Sequence, residues 1–287
     1  MTWLERYAVL VAFCTLLLII AGALVTSNDA ALSIPDWPLS YGRLIPPWEG
    51  GIRLEFTHRV LAATVALLTL VLALWLRHRL AWAAFGTVLV QALLGGAVVK
   101  LVDPKSLAIA HACLAQLTFG ILVTIPASTR HGAGTTAGRA ETRLGTCRVS
   151  ALAALALFLQ TALGAAVRHN TLSVIPHIAG AAISTTLVMW AGLRVFIQHL
   201  ENALLRRSAT TLLALTFLQV FLGFAAYTMR IASADAAQPD SITAAFTVAH
   251  VAAGSLAFGA AVVLALVVYR DARPSNGVLA PGGMAAA

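Results

Sequence analysis

Charge is what this chain has least of. Only 10% of its 287 residues are Asp, Glu, Lys or Arg, against 60% hydrophobic, and the mean hydropathy is +0.87. Soluble domains carry about a quarter charged residues, so a soluble fold is excluded and a polytopic membrane protein is indicated. Cysteine is scarce too. Cys14 and Cys113 fall inside apolar runs and Cys147 lies on the opposite side from the longest loop, so no pair can form in an oxidising compartment. Acids number 11 against 19 Lys and Arg, a net charge of +8. That excess would suit a nucleic-acid binder, but its distribution speaks against one. Twelve of the basic residues (Arg6, Arg77, Arg79, Arg130, Arg139, Arg143, Arg148, Arg194, Arg206, Arg207, Arg270 and Arg273) lie at the termini and in alternate loops, while the other seven are balanced by seven acids. The positive-inside rule then puts both termini in the cytoplasm of a cell-membrane protein in contact with lipid, with no nucleic acid as partner.

Apolar runs are there in abundance. Eight are long enough to cross a bilayer, at residues 7–26, 55–76, 80–99, 107–126, 149–167, 174–196, 209–227 and 242–269. Backbone groups in lipid must be satisfied internally, so each run is a helix and the expected fold is all-α. The first run lacks a small-residue cleavage site and is followed by seven more, so it reads as a retained anchor. Residues 1–127 form an N-terminal four-helix half with an outer lid loop at 27–53, residues 128–148 a linker rich in Gly, Thr and Arg, residues 149–270 a C-terminal four-helix half, and residues 271–287 a disordered tail. The lid carries Pro35-Asp36-Trp37-Pro38, Tyr41-Gly42 and Pro46-Pro47-Trp48, turn formers and interfacial aromatics without charge runs, which predicts an ordered cover.

Comparing the halves exposes a repeat. Gln91-Ala92-Leu93-Leu94-Gly95, Gln160-Thr161-Ala162-Leu163-Gly164 and Gln219-Val220-Phe221-Leu222-Gly223 each close an odd-numbered helix, and each is followed by a helix with a histidine near its start: His111, His177 and His250. The first pair follows more loosely, with Gly22 and His58. Two pseudo-symmetric four-helix bundles follow from this pattern, each with two histidines toward the outer face. Ser106, Ser173 and Ser241 are the expected N-caps, and the glutamines are expected to bond between helices.

Ionisable groups within a membrane are expensive and usually functional. One buried histidine can be helix-to-helix glue, but four at equivalent places point to a metal or haem. Zinc favours four close ligands with Cys or carboxylate among them, whereas spread histidines between alanine-rich walls suit a flat apolar macrocycle held by axial imidazoles. Two haem sites are therefore expected. Lys100, Arg168 and Arg230 end odd helices on the same side, where they complement helix dipoles and could pair with haem propionates. Arg59 is a fourth candidate, or else the i,i+4 ion-pair partner of Glu55. Glu55 lies three residues before His58, on the same helical face, and no other half-repeat has its like: Val174 stands before His177.

Ala23-Leu24-Val25-Thr26-Ser27, the loop Leu32-Ser33-Ile34-Pro35-Asp36-Trp37-Pro38-Leu39-Ser40-Tyr41-Gly42, Glu55-x-x-His58-Arg59, Leu94-Gly95-Gly96 and His111-x-x-x-x-Gln116 resemble the haem A synthase family. That resemblance implies an oxidoreductase that converts a ring methyl of haem O to the formyl group of haem A for cytochrome oxidase assembly. It implies axial ligands His58 and His111 for the substrate haem, His177 and His250 for a haem b cofactor, and Glu55 as the catalytic residue. Molecular oxygen or water, an electron donor, a haem O synthase and a terminal oxidase are the implied partners. Many members carry a cysteine pair in the outer loop where this chain has Ile34 and Ser40, so a disulfide there is absent. The competing expectation is a di-haem cytochrome b-type electron carrier without oxygenase activity, and the one-sided Glu55 separates the two.

Overall fold

The computed structural model describes residues 2–129, 140–199, 201–233 and 240–272. Eight helices are found there: α1 (Trp3–Ser27), α2 (Gly50–Leu76), α3 (Arg79–Lys100), α4 (Lys105–Thr129), α5 (Ala140–Arg168), α6 (Val174–Gln198), α7 (Ala203–Ala232) and α8 (Ser241–Ala272). Among the described residues the single β pairing is a bridge between Ser40 and Arg43. Every helix is long and apolar enough to cross a membrane, the build of a multi-pass membrane protein.

Several helices outrun their apolar stretches. α2 begins at Gly50 and α7 runs for 30 residues, because arginines such as Arg53, Arg206 and Arg207 can leave the lipid without leaving the helix. α5 starts at Ala140, so the last part of the expected linker is helical, while residues 130–139 lie outside the described set. The expected tail is helical as far as Ala272; residues 273–287 lie outside the described set. The serine caps are corrected as well. Ser106 is already inside α4, and Ser173 occupies the N-cap of α6 without a side-chain cap bond. At α8 the carboxylate of Asp240 accepts the Thr243 N–H at 3.1 Å, and its charge suits a helix N-terminus better than a hydroxyl does.

Lipid tails are as apolar as leucine, so burying leucine gains little and helix contact is left to small side chains. The buried clusters mix both kinds: Ala8, Ala12, Ala73, Ala81 and Ala84 beside Leu72 and Leu122 in one half, Ala153, Ala191, Ala209 and Ala261 beside Leu205, Leu212 and Leu264 in the other. Leu67, Leu93, Phe221 and Phe224 are exposed. Thr15, Thr69 and Thr216 donate to the carbonyls of Val11, Val65 and Leu212, each at 2.8 Å, which satisfies hydroxyls that have no water nearby.

In each half the four helices close a ring. α1 packs on α2 and α4, and α3 on the same two; α5 packs on α6 and α8, and α7 on the same two. The halves meet through α4 and α8, α1 and α8, and α4 and α5; between α4 and α8 the Phe119 ring covers Gly259 and the Phe258 ring covers Gly120. Both alanine-rich clusters lie toward the end away from the lid, which leaves the lid end of each ring to the histidines.

The Phe–Gly contacts set a stability prediction. A methyl at Gly259 would stand 2.9 Å from Phe119 Cε1, a buried ring with nowhere to go, so Gly259→Ala is expected to cost roughly 1–3 kcal/mol. Gly86→Ala meets nothing within 4 Å and is expected to be neutral or to stabilise α3 by up to about 1 kcal/mol. Thermal unfolding in detergent separates the two, and equal midpoints would show that close α4–α8 approach is not limiting.

Candidate functional site

Each even-numbered helix carries its histidine onto a glycine of the helix before it. A Cβ on Gly22, Gly95, Gly164 or Gly223 would stand 3.1, 3.4, 3.1 or 2.7 Å from Cε1 of His58, His111, His177 or His250. Nδ1 is the next nearest ring atom in all four, and Nε2 is farther away. The same imidazole edge therefore meets the neighbouring helix every time, and only glycine leaves it the room.

One turn before each glycine is a backbone carbonyl beside the ring: Leu18 for His58, Gln91 for His111, Gln160 for His177 and Gln219 for His250. Nδ1 of His250 reaches the Gln219 carbonyl at 3.2 Å, whereas Nδ1 of His58 and of His111 is buried and completes no hydrogen bond. The glutamines do bond between helices. Gln91 Nε2 donates to the His111 carbonyl at 3.0 Å and Gln160 Nε2 to the His177 carbonyl at 2.8 Å; Gln160 Nε2 also lies 3.0 Å from His177 Nδ1, and Gln219 Nε2 lies 3.3 Å from His250 Nε2. A carbonyl or amide behind an imidazole is the usual support that fixes a ligating histidine.

The rings of His177 and His250 face each other with centroids 6.2 Å apart and planes at 80°. Metal–imidazole bonds of about 2 Å put the ring centres of two ligands on one ion about 6 Å apart, so the separation of these two centres matches that of a shared ion. His58 and His111 are likewise electrostatic neighbours in the N-terminal half. Among the described residues no three or more His, Cys, Asp or Glu side chains gather into a metal-binding group, so the donor set of a zinc site is missing. Paired imidazoles in small-residue walls fit a bis-histidine haem.

Around His58 the chemistry differs from the other half. Glu55 is 5% exposed; its Oε1 accepts from Arg59 Nη2 at 2.6 Å and its Oε2 from the Ile34 N–H at 2.9 Å. Arg59 also donates to the carbonyls of Asp36 at 2.8 Å, Leu39 at 2.9 Å and Ile34 at 3.3 Å. Four of its five N–H groups are thus committed, which leaves only Nε for a propionate. The pair clamps the lid. Within the lid, the Asp36 carboxylate accepts the N–H groups of Tyr41 at 2.6 Å and Gly42 at 2.7 Å, and the Tyr41 hydroxyl donates to the Ser33 carbonyl at 2.6 Å. Ile34 is fully buried, Ser40 is buried, and the Trp37 ring lies over Gly96, beside the glycine that receives His111. The two positions where a cysteine pair was compared are therefore filled by packing and backbone pairing.

The three helix-end cations differ in setting. Lys100 is exposed at the end of α3, Arg168 is half-buried near Arg230 and Asp29, and Arg230 donates to Asn170 Oδ1 at 2.9 Å. Sequence reasoning missed Asn170, the four carbonyls and the Trp37–Gly96 contact. The glycines ahead of the histidines were the one available signal.

The family model described as cytochrome oxidase assembly protein, COX15-CtaA, matches residues 5–53 and 51–176. The chain belongs to that family. The match takes in Glu55, His58, Arg59, Lys100, His111 and Arg168 and stops short of His177, Arg230 and His250. Relatives named Heme A synthase include one from Symbiobacterium thermophilum, 34% identical over 122 residues (38% of this chain, 40% of the relative). Others come from Shouchella clausii, 31% identical over 135 residues (42% and 44%), and Anaplasma marginale, 34% identical over 109 residues (34% and 32%). The aligned segments span less than half the length of each of these relatives.

Two outcomes check the clamp. Arg59→Ala leaves a buried carboxylate unpaired and is expected to cost about 3–5 kcal/mol, with loss of amide-exchange protection across residues 33–43; unchanged protection there would refute it. Asp36 is held below its ordinary value of 3.8 by the Gly42 N–H first and the Tyr41 N–H next. A depressed carboxylate stabilises above its unfolded value and loses that support as pH falls through the folded one. Exchange protection at Tyr41 and Gly42, corrected for intrinsic rates, should therefore hold from neutral pH down to about 3.8 and collapse below it, and in Asp36→Asn it should be weak throughout.

Proposed function

We propose that the protein is a haem A synthase, which oxidises the ring methyl of haem O to the formyl group of haem A for assembly of a terminal oxidase. His58 and His111 hold the substrate haem; His177 and His250 hold haem b. The observation that carries this reading is one-sided: a buried carboxylate stands one turn from His58 under a clamped lid, and the equivalent place before His177 is Val174. An electron carrier needs no such group.

Haem iron supplies the oxygen and redox chemistry when bound. His58 and His111 would hold the haem, which would supply the redox chemistry, and oxygen access there would need one of the two imidazoles to give way. Their buried Nδ1 atoms lack the completed carbonyl bond of His250, which makes these the more easily released ligands. Glu55 takes up and returns protons beside the reacting methyl, and Arg59 holds it in place against Ile34. Ile34 and Trp37 keep bulk water from the site. Arg59 through Nε, Lys100, Arg168 and Arg230 meet the propionates at the lid end. Haem b relays electrons or holds the C-terminal half together. The termini lie in the cytoplasm and both haem sites toward the outer face, with oxygen or water, an electron donor, haem O synthase and the oxidase as partners.

The full pairing of Glu55 with Arg59 and the lid favours a second reading, a di-haem electron-transfer protein in which Glu55 is purely structural. Co-expression with a haem O source decides between them. Extracted haems from wild type should include haem A or a hydroxylated intermediate, and Glu55→Ala should cut that product by 10²-fold or more while both haems remain bound. Bound haem without product in wild type would leave the carrier reading standing.

A further inference from the structure

α4 and α8 carry one histidine of each site, and they touch. The pairs in contact obey one rule. Phe119 covers Gly259 and Phe258 covers Gly120, while Gln116 Nε2 donates to Ser255 Oγ at 2.9 Å, with Ser255 in turn donating to the Val251 carbonyl at 3.0 Å. Phe119 and Phe258, Gly120 and Gly259, Gln116 and Ser255, and His111 and His250 are all separated by 139 positions. Gln116 thus meets its own equivalent, and the contact of Phe119 with Gly259 is matched by its reciprocal, Phe258 with Gly120, which is the contact pattern of a two-fold axis.

Helical geometry gives each of these helices two working faces. Gln116 lies five residues after His111, about 7.5 Å farther along the axis and about 140° around it, and Ser255 stands in the same relation to His250. The histidines face their own rings while Gln116 and Ser255 face each other across the seam. Gln116 is 7% exposed and Ser255 is 0% exposed. Phenylalanine against glycine sets how closely the helices approach but adds no hydrogen bond. Nearer the histidines the Gln116–Ser255 bond supplies direction, and at the other end of the seam Arg270 Nη1 donates to the Ala127 carbonyl at 3.0 Å; the two together fix the roll angle of both helices.

We propose that Gln116 is a positioning residue that couples the two histidine sites: through Ser255 it locks the roll of α4 against α8, and so holds His111 and His250 in register. This rests on the reading that His111 and His250 ligate haem. A change of ligation at His111 then reaches the other site without moving either ring of helices as a whole.

The test uses the full chain, purified in detergent and loaded with haem. Low-spin EPR signals and midpoint potentials are recorded for wild type, Ser255→Ala and the exchange variant Gln116→Ser/Ser255→Gln. Ser255→Ala removes an acceptor with almost no change of volume and touches neither histidine, yet it should shift the signals of both haems. The exchange variant should bring both back to wild type, because a two-fold contact accepts the same bond in the opposite sense. If Ser255→Ala leaves both sets of signals in place, or shifts only that of the C-terminal haem, the coupling is refuted. An exchange variant that fails to fold, or keeps the Ser255→Ala signals, overturns the two-fold contact on which it depends. Wild type without bis-histidine signals that His111→Ala and His250→Ala abolish would sink the haem reading itself, which is a separate failure.

Discussion

Four glycines decide where four imidazoles can stand. A histidine on a membrane helix is costly wherever it points, and its ring must either reach a polar partner or leave the hydrocarbon. Gly22, Gly95, Gly164 and Gly223 let each ring sink against the preceding helix with its Cε1–Nδ1 edge leading, next to a carbonyl one turn away. In the C-terminal half the far nitrogen meets a glutamine amide, Nε2 of His250 at 3.3 Å from Gln219 Nε2 and Nε2 of His177 at 3.4 Å from Gln160 Nε2. Everything else at that end is arranged around this approach: the glutamines that bond across the same hairpins, the 6.2 Å spacing of His177 and His250, and the retreat of the alanine-packed cores to the opposite end.

On this shared plan the halves differ by one carboxylate and one loop. Glu55 and Arg59 satisfy each other, and six backbone groups of the lid, from Ile34 to Gly42, are held by them and by Asp36. A buried ion pair contributes little net stability once desolvation is counted, and its value lies in specifying one arrangement. Here the arrangement is a lid without cysteines, whose order comes from charge-assisted bonds to carbonyls. The same pair therefore serves two ends: it closes the site and it stations a carboxylate beside His58.

Much of this was legible in the sequence. Eight helices follow from apolar length alone, since lipid permits little else. The histidine pattern was legible because repeats preserve spacing, and the Glu55–Arg59 pair because i,i+4 residues must be neighbours. What escaped depends on contacts between distant residues. Arg59 reaches carbonyls 20 to 25 positions away, and no property of Leu39 or Ile34 announces that their carbonyls are the ones reached. Of the three serine caps, Ser173 does stand at the N-cap of α6, whereas Ser106 is already helical and at α8 the aspartate one position upstream is the stronger acceptor.

The seam between α4 and α8 shows what pairing two similar halves adds. Each half alone could close its ring and hold two imidazoles, because every contact of that kind lies within a hairpin or between neighbours in the same ring. The Phe–Gly pairs add adhesion between halves but no hydrogen bond. Gln116 adds direction, and it does so at equivalent positions on the only two helices that both carry a histidine and lie on the seam between the halves. A membrane interior makes that amide bond, like the one from Arg270 to the Ala127 carbonyl on the same seam, count for more, since the alternative partners that water would offer are missing. Two histidine pairs built on similar hairpins thus differ in their surroundings, one with Glu55 and one without, while the helices that carry His111 and His250 stay in contact.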